Sequence, residues 1–127
     1  PTDFGGYLDI VLDFLFYGAI PLAFIIAEPG ANAIAGGVLL LSFYFTGSTF
    51  LAFAIMAERH NMISNLRGDK SLYFTTGLAE ATETIAVLSA MCLFPGSFAV
   101  LAYGFAAICF YTALSRIVLA ARLFNRL

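Results

Sequence analysis

Asp9 and Asp13 stand four residues apart in an otherwise apolar stretch, residues 4–27, with Gly5 and Gly6 just upstream. On a helix that spacing stacks the two carboxylates one turn apart on a single face, where like charges repel. The pair therefore asks for a cation, a hydrogen-bond donor or a proton between its members. In hydrocarbon the demand is sharper, because ionisable side chains there point into protein interiors or wet cavities.

The other charged groups within apolar stretches are Glu80, Glu83, Arg116 and Arg122. Carboxylates hold hard divalent cations such as Mg2+ or Mn2+, these cations neutralise phosphate oxygens, and arginine grips phosphate bidentately. Carboxylates and arginines gathered at a membrane surface thus point to phosphate chemistry. A transferase would need metal ligands, a base for an attacking hydroxyl and glycines that let backbone approach substrate. Asp9, Asp13 and Gly5 are residue types that fill those roles.

The elements that must position these groups are membrane helices. The 127 residues are 61% hydrophobic and 11% charged, with mean hydropathy +0.94, whereas a soluble domain carries about a quarter charged residues. The fold class is all-α, a polytopic transmembrane helical bundle in one integral-membrane domain over residues 1–127. About 20 apolar residues cross a bilayer, which gives four spans near residues 4–27, 33–57, 72–93 and 98–123. Tight turns fall at Glu28, Pro29, Gly30 and Asn32 and at Pro95 and Gly96, and a polar loop runs over residues 58–71. Nothing reads as a signal peptide. The chain begins at Pro1 and is expected to start partway through a longer one.

Topology follows from the positive charges. Arg59, Arg67, Lys70, Arg116, Arg122 and Arg126 all fall after the second span or near the end of the fourth, which lie on one side of a four-span bundle. The opposite turns hold no Lys or Arg, so the basic side is cytoplasmic. Asp9, Asp13, Glu80, Glu83 and Arg116 all belong to that half. The bundle is expected in a bacterial inner (plasma) membrane with its site facing the cytoplasm. No basic patch interleaved with aromatics suggests nucleic acid.

Each group also has a plainer reading. Asp9 and Asp13 could sit in a solvated helix start, favoured by the helix dipole, although Leu12, Phe14 and Leu15 flank Asp13. Glu80 and Glu83 could form an amphipathic entry turn, and Arg116 could snorkel or pair structurally with a glutamate. Arg122 and Arg126 suit an interface anchor, and His60 a solvated loop. Cys92 and Cys109 read as buried free thiols.

The run Gly5-Gly6-Tyr7-Leu8-Asp9-Ile10-Val11-Leu12-Asp13 resembles the second half of the CDP-alcohol phosphatidyltransferase signature, D-x-x-D-G-x-x-A-R followed by G-x-x-x-D-x-x-x-D. The resemblance implies six membrane helices around a cytoplasm-facing cavity, of which these would be the last four. It also implies transfer of a phosphatidyl-type group from a CDP-linked lipid donor to an alcohol acceptor, with release of CMP. Asp9 would then be a metal ligand for Mg2+ (or Mn2+), and Asp13 the base and a further metal neighbour. Gly5 would pack beside the nucleotide. Glu80 and Glu83 would line the substrate cavity, and Arg116 and Arg122 on the last helix would face the acceptor. A homodimer is compatible with both the resemblance and the glycines of the second span.

The first half of the signature, D-x-x-D-G-x-x-A-R, occurs nowhere in these residues. The missing aspartates are expected upstream of Pro1, so this stretch alone lacks part of the metal site. Two other readings stay open: a transport or channel fragment with an acidic ion path, and an inactive membrane scaffold. Neither the acceptor alcohol nor the oligomeric state follows from the sequence.

Overall fold

The computed structural model describes residues 2–59 and 70–125, with residues 70–81 described by backbone alone. The described residues form an all-α bundle whose helices are α1 (Asp3–Ala27), α2 (Pro29–Arg59), α3 (Lys70–Leu93) and α4 (Phe98–Phe124), with a 3-10 turn (Pro95–Ser97) before α4. The helices cover the four apolar stretches, with ends within a few residues of those read from the sequence. By length and composition α1, α2 and the stretch Pro95–Phe124 can each cross a membrane, while the described apolar part of α3, Thr82–Leu93, is shorter. His60, Arg67 and Arg126 lie outside the described residues.

Local chemistry sets the helix ends. Thr2 caps α1, its hydroxyl accepting the Gly5 N–H at 3.0 Å as threonine does at N-caps. The turn after α1 is tighter than expected, because Pro29 opens α2 and leaves Glu28 as the only non-helical residue between the two. Proline suits the first helical position, where its missing N–H would have no partner inside the helix. The Asn32 side-chain amide then donates to the Phe24 carbonyl at 2.9 Å and ties the two helices together.

Ring and carbonyl contacts fix the directions. Moving down α1 from Phe24 to Tyr17 to Phe14, the partners on α2 climb from Asn32 to Phe43 to Gly47, so α1 and α2 are antiparallel. Between α2 and α4 the numbers rise together: Phe43 meets Phe105 at 5.9 Å and Phe53 meets Phe124 at 5.3 Å between centroids. These two helices are parallel. The N-terminal end of α1 therefore shares one end of the bundle with Arg59 and Arg122, as the charge pattern required.

Small residues allow α2 and α4 their close seam. Ala35, Leu39, Ala102, Ala106, Cys109 and Ala113 are buried along it, and small side chains are what lets membrane helices pack by dispersion. Gly36 faces α1 and α4 together: a Cβ there would lie 2.5 Å from the Ile25 side chain and 3.7 Å from the Phe98 ring. Phe98, fully buried, stacks on Phe24 at 4.6 Å.

Candidate functional site

Three neighbouring contacts hold the aspartate-bearing segment of α1. Thr2 caps its first turn, and the ring of Phe14 approaches α2 at Gly47. A Cβ on Gly47 would stand 3.3 Å from the Phe14 ring, so glycine at that position lets the ring settle. Tyr17, one turn after Asp13, packs on Phe43 at 6.1 Å.

With Phe14 turned to α2, Asp13 is turned towards α3. It lines a cleft of about 250 Å³ together with Phe16, Tyr17 and Ile20 of α1 and Ile85, Leu88, Ser89 and Cys92 of α3. Most of this lining is apolar, and among the described residues Asp13 supplies its one carboxylate. Asp9 is also exposed, one turn nearer the basic end, about 6 Å away between Cβ atoms as four-residue spacing dictates.

Two carboxylate groups at one-turn spacing are hard oxygen donors of the kind Mg2+ or Mn2+ prefers. Among the described residues no group of three metal-ligating side chains occurs. Asp9 and Asp13 alone would supply only part of the coordination shell of such a cation.

The other candidate residues separate into distinct places. Gly5 lies at the α1 N-terminus, where a Cβ would come within 3.2 Å of the Thr2 hydroxyl oxygen, so its small size already serves the cap. Glu83 is exposed. It stands two residues before Ile85, about 200° round α3 at roughly 100° per residue, away from the face that lines the Asp13 cleft. Glu80 belongs to α3, and its side chain is outside the described residues. Arg122 is exposed near the end of α4.

Arg116 is different, being 7% exposed. Its Nη1 donates to the Thr46 carbonyl at 3.2 Å and to the Thr49 hydroxyl at 3.1 Å, and its guanidinium carbon stands 5.5 Å from the centre of the Phe50 ring. These contacts go to hydroxyl, carbonyl and aromatic groups of α2.

Sequence reasoning also missed Thr46, Thr49, Ser89 and Cys92. Thr46 donates to the Cys109 carbonyl at 2.7 Å, and Thr49 donates to the Thr46 carbonyl at 2.8 Å. The signal available was spacing: Cys109, Ala113 and Arg116 repeat at four and three residues, as Ser42, Thr46 and Thr49 do, which places each set on one helical face. Cys109 is a buried thiol outside any disulfide, as expected, whereas the Cys92 thiol is exposed, because its face of α3 turns to the open cleft and not to the core.

No protein-family model matches the chain, and no solved structure matches it. It is 50% identical over 116 residues, 91% of its own length, to the "Inner membrane protein YnjF" of Escherichia coli (strain K12). The chain spans 56% of that relative's length. The apolar helices and this similarity together support an integral location in an inner membrane.

Proposed function

We propose that this chain is part of a CDP-alcohol phosphatidyltransferase of the inner membrane, acting in phospholipid synthesis on the cytoplasmic face. The observation that carries the reading is the Gly5, Asp9, Asp13 frame on α1 at the basic end of the bundle, with Asp13 opening on a cleft between membrane helices. A lipid donor reaches such a cleft sideways from the bilayer, and a small alcohol reaches it from the cytoplasm.

In the proposed reaction the acceptor oxygen forms a bond to the phosphatidyl phosphorus, the bond from that phosphorus to CMP breaks, and CMP leaves with the electron pair. Asp13 takes the proton of the acceptor hydroxyl. A bound Mg2+ or Mn2+ would neutralise charge on the phosphate oxygens, held in part by Asp9 with Asp13 beside it. Apolar lining from Phe16, Ile20, Ile85 and Leu88 keeps bulk water from the reacting oxygen and so favours the alcohol over hydrolysis. Arg122, exposed near the end of α4, suits attraction of the anionic donor to the basic end of the bundle, whereas Glu83, turned away from the Asp13 cleft, is given no role in it.

The test uses the full-length protein in membranes or detergent, with Mg2+, a CDP-linked lipid and a panel of small alcohols, CMP being measured. Acceptor-dependent CMP release that Asp13→Asn abolishes supports the assignment. Asp13→Asn releasing CMP at the wild-type rate removes Asp13 as the base. A full-length sequence lacking D-x-x-D-G-x-x-A-R upstream of this stretch removes catalysis altogether.

A further inference from the structure

A guanidinium inside a membrane bundle is retained only where its N–H groups find partners. The partners of Arg116 are unusual in kind, because two of its contacts go to one short piece of α2. The Thr46 carbonyl accepts Nη1 at 3.2 Å and the Thr49 hydroxyl accepts it at 3.1 Å, while the Thr49 hydroxyl itself donates to the same Thr46 carbonyl. Phe50, next in sequence, offers its ring face at 5.5 Å, a favourable placement for a cation. Two turns before Arg116 on the same face of α4, the Cys109 carbonyl takes the Thr46 hydroxyl. Polar bonds thus cross the α2–α4 seam in both directions within one stretch of four α2 residues.

That stretch also contains Gly47, on which Phe14 rests. Phe14 is the neighbour of Asp13. The α2 backbone therefore meets Arg116 on one face and the aspartate helix on the adjoining one, at the same height in the bundle.

We propose that Arg116 is a positioning residue, which locks α4 onto α2 at the height of Asp13 and so fixes the platform of Gly47 and Phe14 that aims Asp13 into its cleft. Arg116 acts through Thr46, Thr49 and Gly47 and does not bind the acceptor or its phosphate. The catalytic half of this inference rests on the transferase reading above, and the lock itself does not.

The lock is tested without substrate, by thermal unfolding of the full-length protein in detergent. Arg116→Gln and Thr49→Val should each lower the midpoint by about 3 °C or more, and the double variant should lose less than the sum of the two. Ser48→Ala, which removes a hydroxyl bonded in the same way to Phe45 on the exposed side of α2, should leave the midpoint unchanged. Additive losses in the double variant would overturn the lock. Should Arg116→Gln fail to fold, Thr49→Ser retaining the wild-type midpoint where Thr49→Val loses it supports the lock, and equal midpoints for the two overturn it.

The positioning role is tested by CMP release. Arg116→Gln should lower kcat at least tenfold with the acceptor KM within twofold of wild type, and Arg116→Lys, which keeps a donor for Thr46, should recover part of kcat. A tenfold rise in acceptor KM with an unchanged unfolding midpoint would make Arg116 a substrate ligand instead. Wild-type protein that releases no CMP with any alcohol would remove the transferase reading and its positioning role together, and the unfolding cycle would still decide the lock.

Discussion

Thr46 and Cys109 are joined across α2 and α4 by a buried hydrogen bond of 2.7 Å, the threonine hydroxyl donating to the cysteine carbonyl. That carbonyl also lies within a continuous helix, so removing the hydroxyl leaves it a helical partner. Thr46→Val should therefore destabilise the bundle by only about 1 kcal/mol, and Thr46→Ser by less. Unfolding of detergent-solubilised protein in a graded SDS series measures both, and a loss above about 3 kcal/mol for Thr46→Val would show that more than this bond had been removed.

Gly36 gives a steric prediction with its own rescue. A Cβ there meets two carbons of Ile25 at 2.5 Å, closer than packing allows, so Gly36→Ala should destabilise by roughly 1–3 kcal/mol. The obstruction is a side chain and not backbone. Ile25→Ala in the same chain should thus recover part of the loss, and a double variant less stable than Gly36→Ala would place the strain elsewhere.

Asp9 and Asp13 should separate by metal dependence. Both are exposed in the bundle, so asparagine at either should shift stability by no more than about 0.5 kcal/mol. CMP release should drop at least ~100-fold for Asp13→Asn. Raising Mg2+ should restore Asp9→Asn, a lost ligand, more fully than Asp13→Asn, a lost base. Equal recovery in a metal titration would mean that both carboxylates serve the metal alone.

Cys92 and Cys109 differ in access, the first lining the cleft and the second buried. A thiol-reactive maleimide should modify Cys92 in the folded protein and leave Cys109 unmodified until unfolding, as read by mass spectrometry of peptides. A bulky adduct on Cys92 should also obstruct the Asp13 cleft and reduce CMP release. Comparable labelling of Cys109 in folded protein would contradict the α2–α4 seam.

How much of this could be read from the sequence depends on the kind of contact. Helix limits were legible because the run of apolar residues and the Pro and Gly breaks are local, and even the shift of α2 to Pro29 follows a local rule. Facing was not. When a helix such as α1 is apolar on nearly every side, no polar stripe marks which side meets lipid and which meets protein, so the exposure of Cys92 and the separation of Glu83 from Asp13 left no trace. Arg116 was hidden for a different reason. Its partners Thr46 and Thr49 lie 70 and 67 residues away on a helix that is not its neighbour in sequence, and pairing of parallel helices is decided in three dimensions. The aspartate frame stood out because its spacing is local and its charge is out of place.

The bonds from Arg116 to α2 have a consequence for biogenesis. An arginine disfavours membrane insertion most at the helix centre and less towards an end; Arg116 lies about two turns from the end of α4, and the many Leu, Ile, Phe and Val residues of that helix offset its cost at a few tenths of a kcal/mol each. Once inserted, Arg116 finds two of its partners at the Thr46–Thr49 step, on a helix that entered the membrane two spans earlier. Assembly is thereby directed: the bonds to Thr46 and Thr49 draw α4 onto α2, a helix that is not its neighbour in sequence.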